Sequence, residues 1–567
     1  MAAFPRTEGD RFMLTVGIHG IPDKNGSGHA HDHGIALIRN GVVIAHLPAE
    51  RLTHNKHDGN LPLCFDALLR PFLVPNEEIR FILVSSFYGD SFTSESESLS
   101  MTVPEGFNPE DIMAPCHIET KGYLKKHRTQ GWAISHELAH IASCLPFCGT
   151  FSENALLLHI DGGASVSANS VWTYNQGNLR CLSYDWDSLK RVVNHFNASV
   201  LSQAILGLRP EDHLSMPGKL MGFSGHGTAN PYLMDLIQNH DPISTNFSCM
   251  AGSSLFQDLI DTMKKNDDPT RLTVCADIAA SMQMDFEHSI VEFIGQWKKK
   301  TAYNHLYYSG GAALNIHTNV RIENELGFDH IFVPPAPSDG GLALGAAAMA
   351  EWQERRHIER CSPFIVRCPR KNDETSYPVS DATISEIAGT IADRKVIGTV
   401  IGHGECGPRA LGHRSILARP DSIEIRKHIS EVLKKREWYR PVSPIMLEDT
   451  AKTCLEEYRQ QSCLGEYMSG AWKISASWLP HFQGVVHADG SVRAQIVRKN
   501  SAELSSIYRL LVLLRDKYGI HGLLNTSFNQ SGEPIVQDIS DALRSGRAMG
   551  LDALWIEKLG QSELRYL

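Results

Sequence analysis

Asn154-Ala155-Leu156-Leu157-Leu158-His159-Ile160-Asp161-Gly162-Gly163 reads as an apolar strand that ends in one carboxylate and two glycines. It leads to Ser170-Val171-Trp172-Thr173-Tyr174-Asn175-Gln176-Gly177, so the order is strand, polar glycine-bearing loop, second strand, turn. The same order stands at the start of the chain. Leu14-Thr15-Val16-Gly17-Ile18 is followed by a Gly/His/Asn-rich loop to Gly34, then by two apolar runs, Ile35–Ile38 and Val42–Ala45, across Asn40-Gly41. Asn-Gly between apolar runs is the strongest short hairpin signal, and the echo predicts a duplicated domain. His305-Leu306-Tyr307-Tyr308-Ser309-Gly310-Gly311 is a third strand ending in small residues, which let a backbone approach a ligand.

Between the two echoing units lies His136-Glu137-Leu138-Ala139-His140. Two imidazoles four residues apart share one helix face and can grip one metal ion. The string also satisfies the zinc-protease pattern H-E-x-x-H, with Glu137 as its base. A metzincin would need glycine at 143 and histidine at 146, where Ser143 and Pro146 stand. Other zincins take a later carboxylate, for which Glu153 or Asp161 is available, yet a protease leaves the following 400 or so residues without purpose. Cys144 and Cys148 beside the pair read as buried structural thiols.

At 567 residues the chain exceeds one core, and roughly 100–200 residues per domain predicts three or four folding units. A hydrophobic fraction of 42% with 21% charged residues is that of an ordinary globular protein. A formal charge of −10 argues against a nucleic-acid partner, which needs a basic face. No apolar run approaches the roughly 20 residues of a membrane span, and the first dozen residues lack a signal-peptide core. The twelve cysteines are dispersed with no C-x-x-C pair, as free thiols in a reducing compartment would be, so the expectation is a cytoplasmic protein without a membrane partner. Residues 1–12 read as a disordered arm. A charged helical end at 351–357 runs into a Pro- and Lys-bearing linker over 356–378, which leaves 13–355 and 379–567 as two units.

The second unit holds Gly402-His403-Gly404-Glu405-Cys406-Gly407-Pro408-Arg409-Ala410-Leu411-Gly412-His413-Arg414. Two arginines five apart among glycines suit a phosphate or carboxylate held by forked hydrogen bonds. Lys434-Lys435-Arg436-Glu437-Trp438-Tyr439-Arg440 follows, and Asn525-Thr526-Ser527-Phe528-Asn529 places small polar side chains in a loop after a strand.

Together these motifs carry a resemblance. The strand-end glycines are similar to those of RNase H-like sugar-kinase, actin and chaperone ATPases, whose two halves enclose a nucleotide. Lys434-x-Arg436 with Ser527-x-Asn529 resembles the signature of YrdC-like domains, and Gly407-Pro408-Arg409-Ala410-Leu411-Gly412 resembles the motif of ATP-dependent O-carbamoyltransferases, the family of nebramycin synthase and of nodulation and cephem carbamoyltransferases. Gly218-Lys219-Leu220-Met221-Gly222, Asp277–Gln283, Ser309-Gly310-Gly311 with Asn315, and Asn525–Asn529 match in family order, so the resemblance covers nearly the whole chain. Three stretches depart from the pattern. His31-Asp32 keeps the His-Asp pair but is followed by His33-Gly34, Ala49-Glu50-Arg51-Leu52-Thr53 stands for Glu-Glu-Arg-Phe-Thr, and Val442-Ser443-Pro444 for Phe-Ala-Pro.

The resemblance implies an α/β protein: an N-terminal duplicated RNase H-like (ASKHA) domain of the threonylcarbamoyladenosine-enzyme type and a C-terminal YrdC-like domain. It implies carbamoyl-adenylate formation from ATP and carbamoyl phosphate, with Mg2+, in the C-terminal domain. There Arg409, Arg414, Lys434, Arg436, Arg440 and Arg493 neutralise the reactants, and Asn525, Ser527 and Asn529 fix the nucleotide. It implies carbamoyl transfer to a small-molecule hydroxyl in the N-terminal domain. His136, His140, Asp161 and Asp339 hold Fe2+ or another divalent first-row ion there. Gly218 and Lys219 hold the AMP phosphate, Ser309, Gly310, Gly311 and Asn315 line the nucleoside, and His31 beside Asp32 is the base, while Glu137 is a bystander. A homodimer is compatible with the family. The alternatives are a tRNA-modifying or metalloenzyme-maturation enzyme of the same superfamily and, from another class, a non-catalytic nucleotide-binding switch. Maturation enzymes carry C-x-x-C motifs and the opposite domain order.

Overall fold

The computed structural model describes residues 13–23, 30–104, 114–122, 129–197, 200–208, 210–239, 269–369, 380–558 and 561–567. The expected arm, the first residues of the His-rich loop and the linker from residue 370 onward lie outside them.

The echo in the sequence corresponds to two sheets. β1 (Met13–His19), β2 (Gly34–Arg39), β3 (Val42–Pro48), β4 (Glu78–Val84), β5 (Cys116–Ile118) and β6 (Thr129–Ile134) form the first, in the order β3-β2-β1-β4-β6-β5. β7 (Ala155–Ile160), β8 (Asn169–Asn175), β9 (Asn178–Asp185), β10 (His305–Ser309) and β11 (His330–Phe332) form the second, in the order β9-β8-β7-β10-β11. In each, three antiparallel strands are continued by parallel neighbours. The turns match as well: Asn40-Gly41 and Gln176-Gly177 both have two positive φ angles, the hairpin geometry whose twist suits flanking strands.

Four helices matter for the site: α1 (His136–Ala142), α2 (Met216–Ser224), α3 (Pro269–Thr301) and α4 (Leu342–Arg355). Ser135 caps α1, its hydroxyl accepting from the Leu138 amide at 3.1 Å. α4 is apolar and buried from Leu342 to Gln353, because it fills the space between the sheets. Two glycines permit its close approach. A Cβ on Gly17 would lie 1.9 Å from the Ala343 carbonyl oxygen, and one on Gly345 would lie 1.9 Å from that of Ala139. α4 therefore touches the backbone of α1, which sets the helix bearing both histidines against the turn bearing Asp339.

The remainder is a mixed seven-stranded sheet. It comprises β12 (Ile397–Ile401), β13 (Ser415–Ala418), β14 (Ser443–Leu447), β15 (Gln495–Val497), β16 (Leu523–Ser527), β17 (Ala553–Lys558) and β18 (Gln561–Tyr566), in the order β15-β14-β16-β13-β12-β17-β18. The first half of the expected linker is packed rather than free. Ile365 accepts from the His46 amide, Val366 exchanges two hydrogen bonds with Gly404, and Pro363 accepts from the Cys406 amide. Among the described residues no helix is long and apolar enough to cross a membrane, and no disulfide joins the cysteines.

Candidate functional site

His136 and His140 on α1, Asp161 after β7 and Asp339 at the turn before α4 converge from three places in the fold. The two Nε2 atoms are 3.0 Å apart. Asp339 Oδ1 lies 3.3 Å from His136 Nε2 and 3.4 Å from His140 Nε2, and Asp161 Oδ2 lies 3.5 Å from His140 Nε2. Donors on a tetrahedron with bonds of about 2.0–2.2 Å stand about 3.3–3.6 Å apart, so His136, His140 and Asp339 are spaced to share one divalent first-row ion, with Asp161 beside His140. The carboxylates are held in place beforehand. Asp161 accepts from the amides of Gly162 at 2.6 Å and Gly311 at 2.5 Å, while Ser309 Oγ and the Gly310 amide both donate to the Pro337 carbonyl, two residues before Asp339. A Cβ on Gly310, whose φ is +95°, would meet the Ile160 carbonyl at 2.2 Å. The Ser309-Gly310-Gly311 turn, expected to line a nucleoside, thus braces both carboxylates.

His31 stands at the edge of this cluster, its Nε2 3.9 Å from Asp339 Oδ2 and its Nδ1 3.0 Å from Asp32. Asp32 has a left-handed backbone and also accepts from His57 Nδ1 at 2.8 Å, and these bonds hold its carboxyl well below the ordinary range despite burial. Burial disfavours a charge on His31, but the Asp32 hydrogen bond and the charges of Asp339, Asp32 and Asp161 outweigh it and raise the imidazole to about 9.

In the C-terminal part the hydrogen-bonding pattern widens after Ile423–Lys427. The Lys434 amide donates to Ile429 and the Arg436 amide to Ser430, a wide-turn geometry common at functional sites. Lys434 Nζ contacts the Ser527 carbonyl and bonds Ser527 Oγ at 3.1 Å and Asn529 Oδ1 at 2.7 Å. Arg436 bonds Thr526 Oγ1 at 2.9 Å and Ser527 Oγ at 3.1 Å, and Arg493 bonds Ser443 Oγ at 3.0 Å. These cations repel one another. Burial and then Arg436 and Arg440 push Lys434 well below the ordinary lysine value, Arg409 falls to about 10 and Arg436 to about 9, and Arg409, Arg436 and Arg440 add to burial in lowering Arg493. Grouped buried cations are expensive, and a polyphosphate is the ligand that relieves them.

Other expected ligands turn out to support the site. Arg414 commits all five donors to carbonyls of Ile401, Gly402, His413 and Gln537, so it braces the glycine loop and does not present a free guanidinium. Asn525 Nδ2 bonds the Ala410 carbonyl at 2.9 Å. Asn315 caps the helix Ile316–Glu325 and forms a two-way amide pair with Gln283, so its amide is consumed. Lys219 pairs with Glu437 at 2.8 Å across to the C-terminal part, and the face of Gly218 is open. Glu137 is not a bystander: fully buried, it accepts from the amides of Val166 and Ser167 and from the Ser167 hydroxyl, fastening the loop after Asp161.

The carbamoyltransferase N-terminus family matches residues 26–348 and the carbamoyltransferase C-terminus family matches residues 388–561. The chain belongs to the carbamoyltransferase family. This carbamoyltransferase is 27% identical to nodulation protein NolNO of Sinorhizobium fredii over 92% of the chain and 78% of the relative. It is 26% identical to nodulation protein U of Azorhizobium caulinodans over 93% and 96%, and 33% identical to nodulation protein NolO of Bradyrhizobium diazoefficiens over 49% and 53%. Full-length HypF in its phosphate- and nucleotide-bound form aligns at TM-score 0.27 and 13% identity over 61% of this chain and 56% of that one, too low to support an argument.

Sequence reasoning missed three residues that shape the two sites of the carbamoyltransferase. Glu405 Oε1 accepts from the amides of Leu411, His413 and Arg414 and so folds the motif loop; an acid inside a run of glycines was the available signal. Burial and the charges of Arg440 and Arg436 lower Lys56, while Glu50 and Asp32 oppose them, so it lies within electrostatic reach of both the cation cluster and Asp32. Gly345 had no signal at all, since its role is a contact with a helix 200 residues away.

Proposed function

We propose that this enzyme is an ATP-dependent O-carbamoyltransferase with two reaction centres, a duplicated RNase H-like domain over residues 13–355 and a YrdC-like domain over 379–567, joined by 356–378. The observation that carries this reading is the pairing of a crowded, buried cation cluster with a separate cluster of imidazoles and carboxylates around His140. In the first centre water cleaves carbamoyl phosphate to carbamate and phosphate. A carbamate oxygen then attacks the α-phosphorus of ATP, the bond to the bridging oxygen breaks, and pyrophosphate leaves. Arg409, Lys434, Arg436, Arg440 and Arg493 stabilise the charge that builds on the phosphates, which is the main lever in phosphoryl transfer. Ser527 and Asn529 orient Lys434.

The carbamoyl-adenylate reacts in the second centre, where an acceptor hydroxyl attacks the carbamoyl carbon, AMP leaves, and His31 takes the hydroxyl proton. His136, His140, Asp161 and Asp339 would hold Fe2+ or a similar ion, which, like Mg2+ with ATP, would supply positive charge against the phosphates. A base must be neutral to accept a proton. Charge compensation at Asp161 and Asp339 removes two of the influences that raise His31, bringing it toward the working pH. The acceptor is a small molecule bearing a hydroxyl.

Separating the half-reactions tests the scheme. Arg436→Ala is expected to stop pyrophosphate release from ATP and carbamoyl phosphate, whereas Asp339→Ala and His31→Ala are expected to spare it and to stop carbamoylation of an acceptor drawn from a metabolite extract. Loss of pyrophosphate release in Asp339→Ala, with the fold intact by circular dichroism, would overturn the two-centre reading.

A further inference from the structure

His159 is buried completely and plays no part in the chemistry above. It lies on β7 two residues before Asp161, so strand alternation turns it toward the face covered by α1. Its ring is nearly parallel to that of His140, at 18° and 4.8 Å between centroids, and 6.4 Å from that of His136. A ring nitrogen of His140, a ring nitrogen of His159 and a carboxylate oxygen of Asp161 lie within 4.8 Å of one another. Nδ1 is 3.3 Å from Ser170 Oγ, the residue in register on β8, and Nε2 has no hydrogen-bond partner.

A buried polar atom left without a partner is costly, so Nε2 calls for an explanation. If Nδ1–H donates to Ser170, Nε2 carries a lone pair and no proton, the form in which an imidazole binds a cation. We propose that His159 is a further ligand of the same cation, giving a centre of three imidazoles and two carboxylates. This rests on the reading that His136, His140, Asp161 and Asp339 hold a divalent ion. Donors on opposite sides of an ion stand about 4.2 Å apart, twice a bond of about 2.1 Å, so the His140, His159 and Asp161 donors, within 4.8 Å of one another, need close by no more than about 0.6 Å to share a cation.

Loading the chelator-stripped full chain with Co2+ alone tests this. Each imidazole bound through Nε2 contributes one strongly shifted, exchangeable Nδ1–H signal to the proton NMR spectrum. Three such signals are expected in the wild type and two in His159→Gln, with Co2+ affinity lowered on the order of 10–100-fold or more. Affinity alone does not separate a ligand from a supporting residue, but the signal count does. Two signals in the wild type, unchanged in His159→Gln, would overturn the assignment while leaving the metal reading intact. Absence of Co2+ binding would overturn both. Should His159→Gln fail to fold, the wild-type count decides.

Discussion

Gly345→Ala probes the alignment of the four-donor cluster without touching a donor. The added Cβ would lie 1.9 Å from the Ala139 carbonyl oxygen and 2.9 Å from the Ala139 carbonyl carbon and the Ser143 nitrogen. All three are backbone atoms at α1, so no side chain can swing aside, and α1 and α4 must part by about 1 Å to restore contact distance. Asp339 enters α4 through the turn Asp339–Gly341, while His136 and His140 ride on α1, so the displacement falls on the spacings of 3.3 and 3.4 Å between them. Coordination tolerates departures of only about 0.2 Å, and a misplacement of about 1 Å at a reacting centre costs on the order of 100-fold in rate. Overpacking itself destabilises by about 1–3 kcal/mol. The expected outcome is a lower melting temperature, little bound metal by elemental analysis, and carbamoyl transfer reduced about 100-fold. Pyrophosphate release at the cation cluster is expected to remain near the wild-type rate. A Gly345→Ala protein with a full complement of metal and full transfer activity would refute the argument that this approach sets the cluster.

Two further outcomes follow from groups outside that centre. Burial raises Glu557 from an ordinary 4.5 to about 7, with a Ser506 hydrogen bond opposing in part; the folded state therefore keeps a proton the unfolded chain loses, and stability falls as pH rises from about 4.5 to 7. Glu557→Gln should accordingly raise the denaturation midpoint at pH 8, by of order 1–3 kcal/mol, and leave it unchanged at pH 4, and an equal effect at both would contradict the sign. Arg414→Lys leaves buried carbonyls without donors, so a stability loss of about 2 kcal/mol or more is expected. Nucleotide affinity per folded molecule should hold, and calorimetric ATP binding that collapses while the fold persists would return Arg414 to the ligand set.

The residues that carry the chemistry were legible because their information is local. Two histidines at i and i+4 share a helix face by geometry alone, Asn-Gly between apolar runs makes a hairpin, and a carboxylate followed by glycines marks a strand end near a ligand. The repetition of strand, loop and turn announced two units for the same reason. Lys434, Arg436, Ser527 and Asn529 were singled out by the family resemblance, and they meet at one point.

What residue type and spacing could not tell was which polar groups face a ligand and which are consumed by the protein. Arg409 and Arg414 are equivalent as letters. Only the folded loop gives Arg414 four carbonyl-bearing neighbours and leaves Arg409 among like charges. Asn315 and Gln283 look like free amides until two helices bring them into a mutual pair. Nothing in the sequence marks Glu137 or Glu405 as an organiser of backbone, yet each gathers amides from neighbouring loop residues. Gly345 and His159 are silent in the sequence because their meaning is a contact with α1, and such a contact exists only once distant segments have packed. Local periodicity is written in the chain, whereas the pairing of buried donors with acceptors is decided by tertiary structure, since burial forces every polar group to find whichever partner the fold brings within reach.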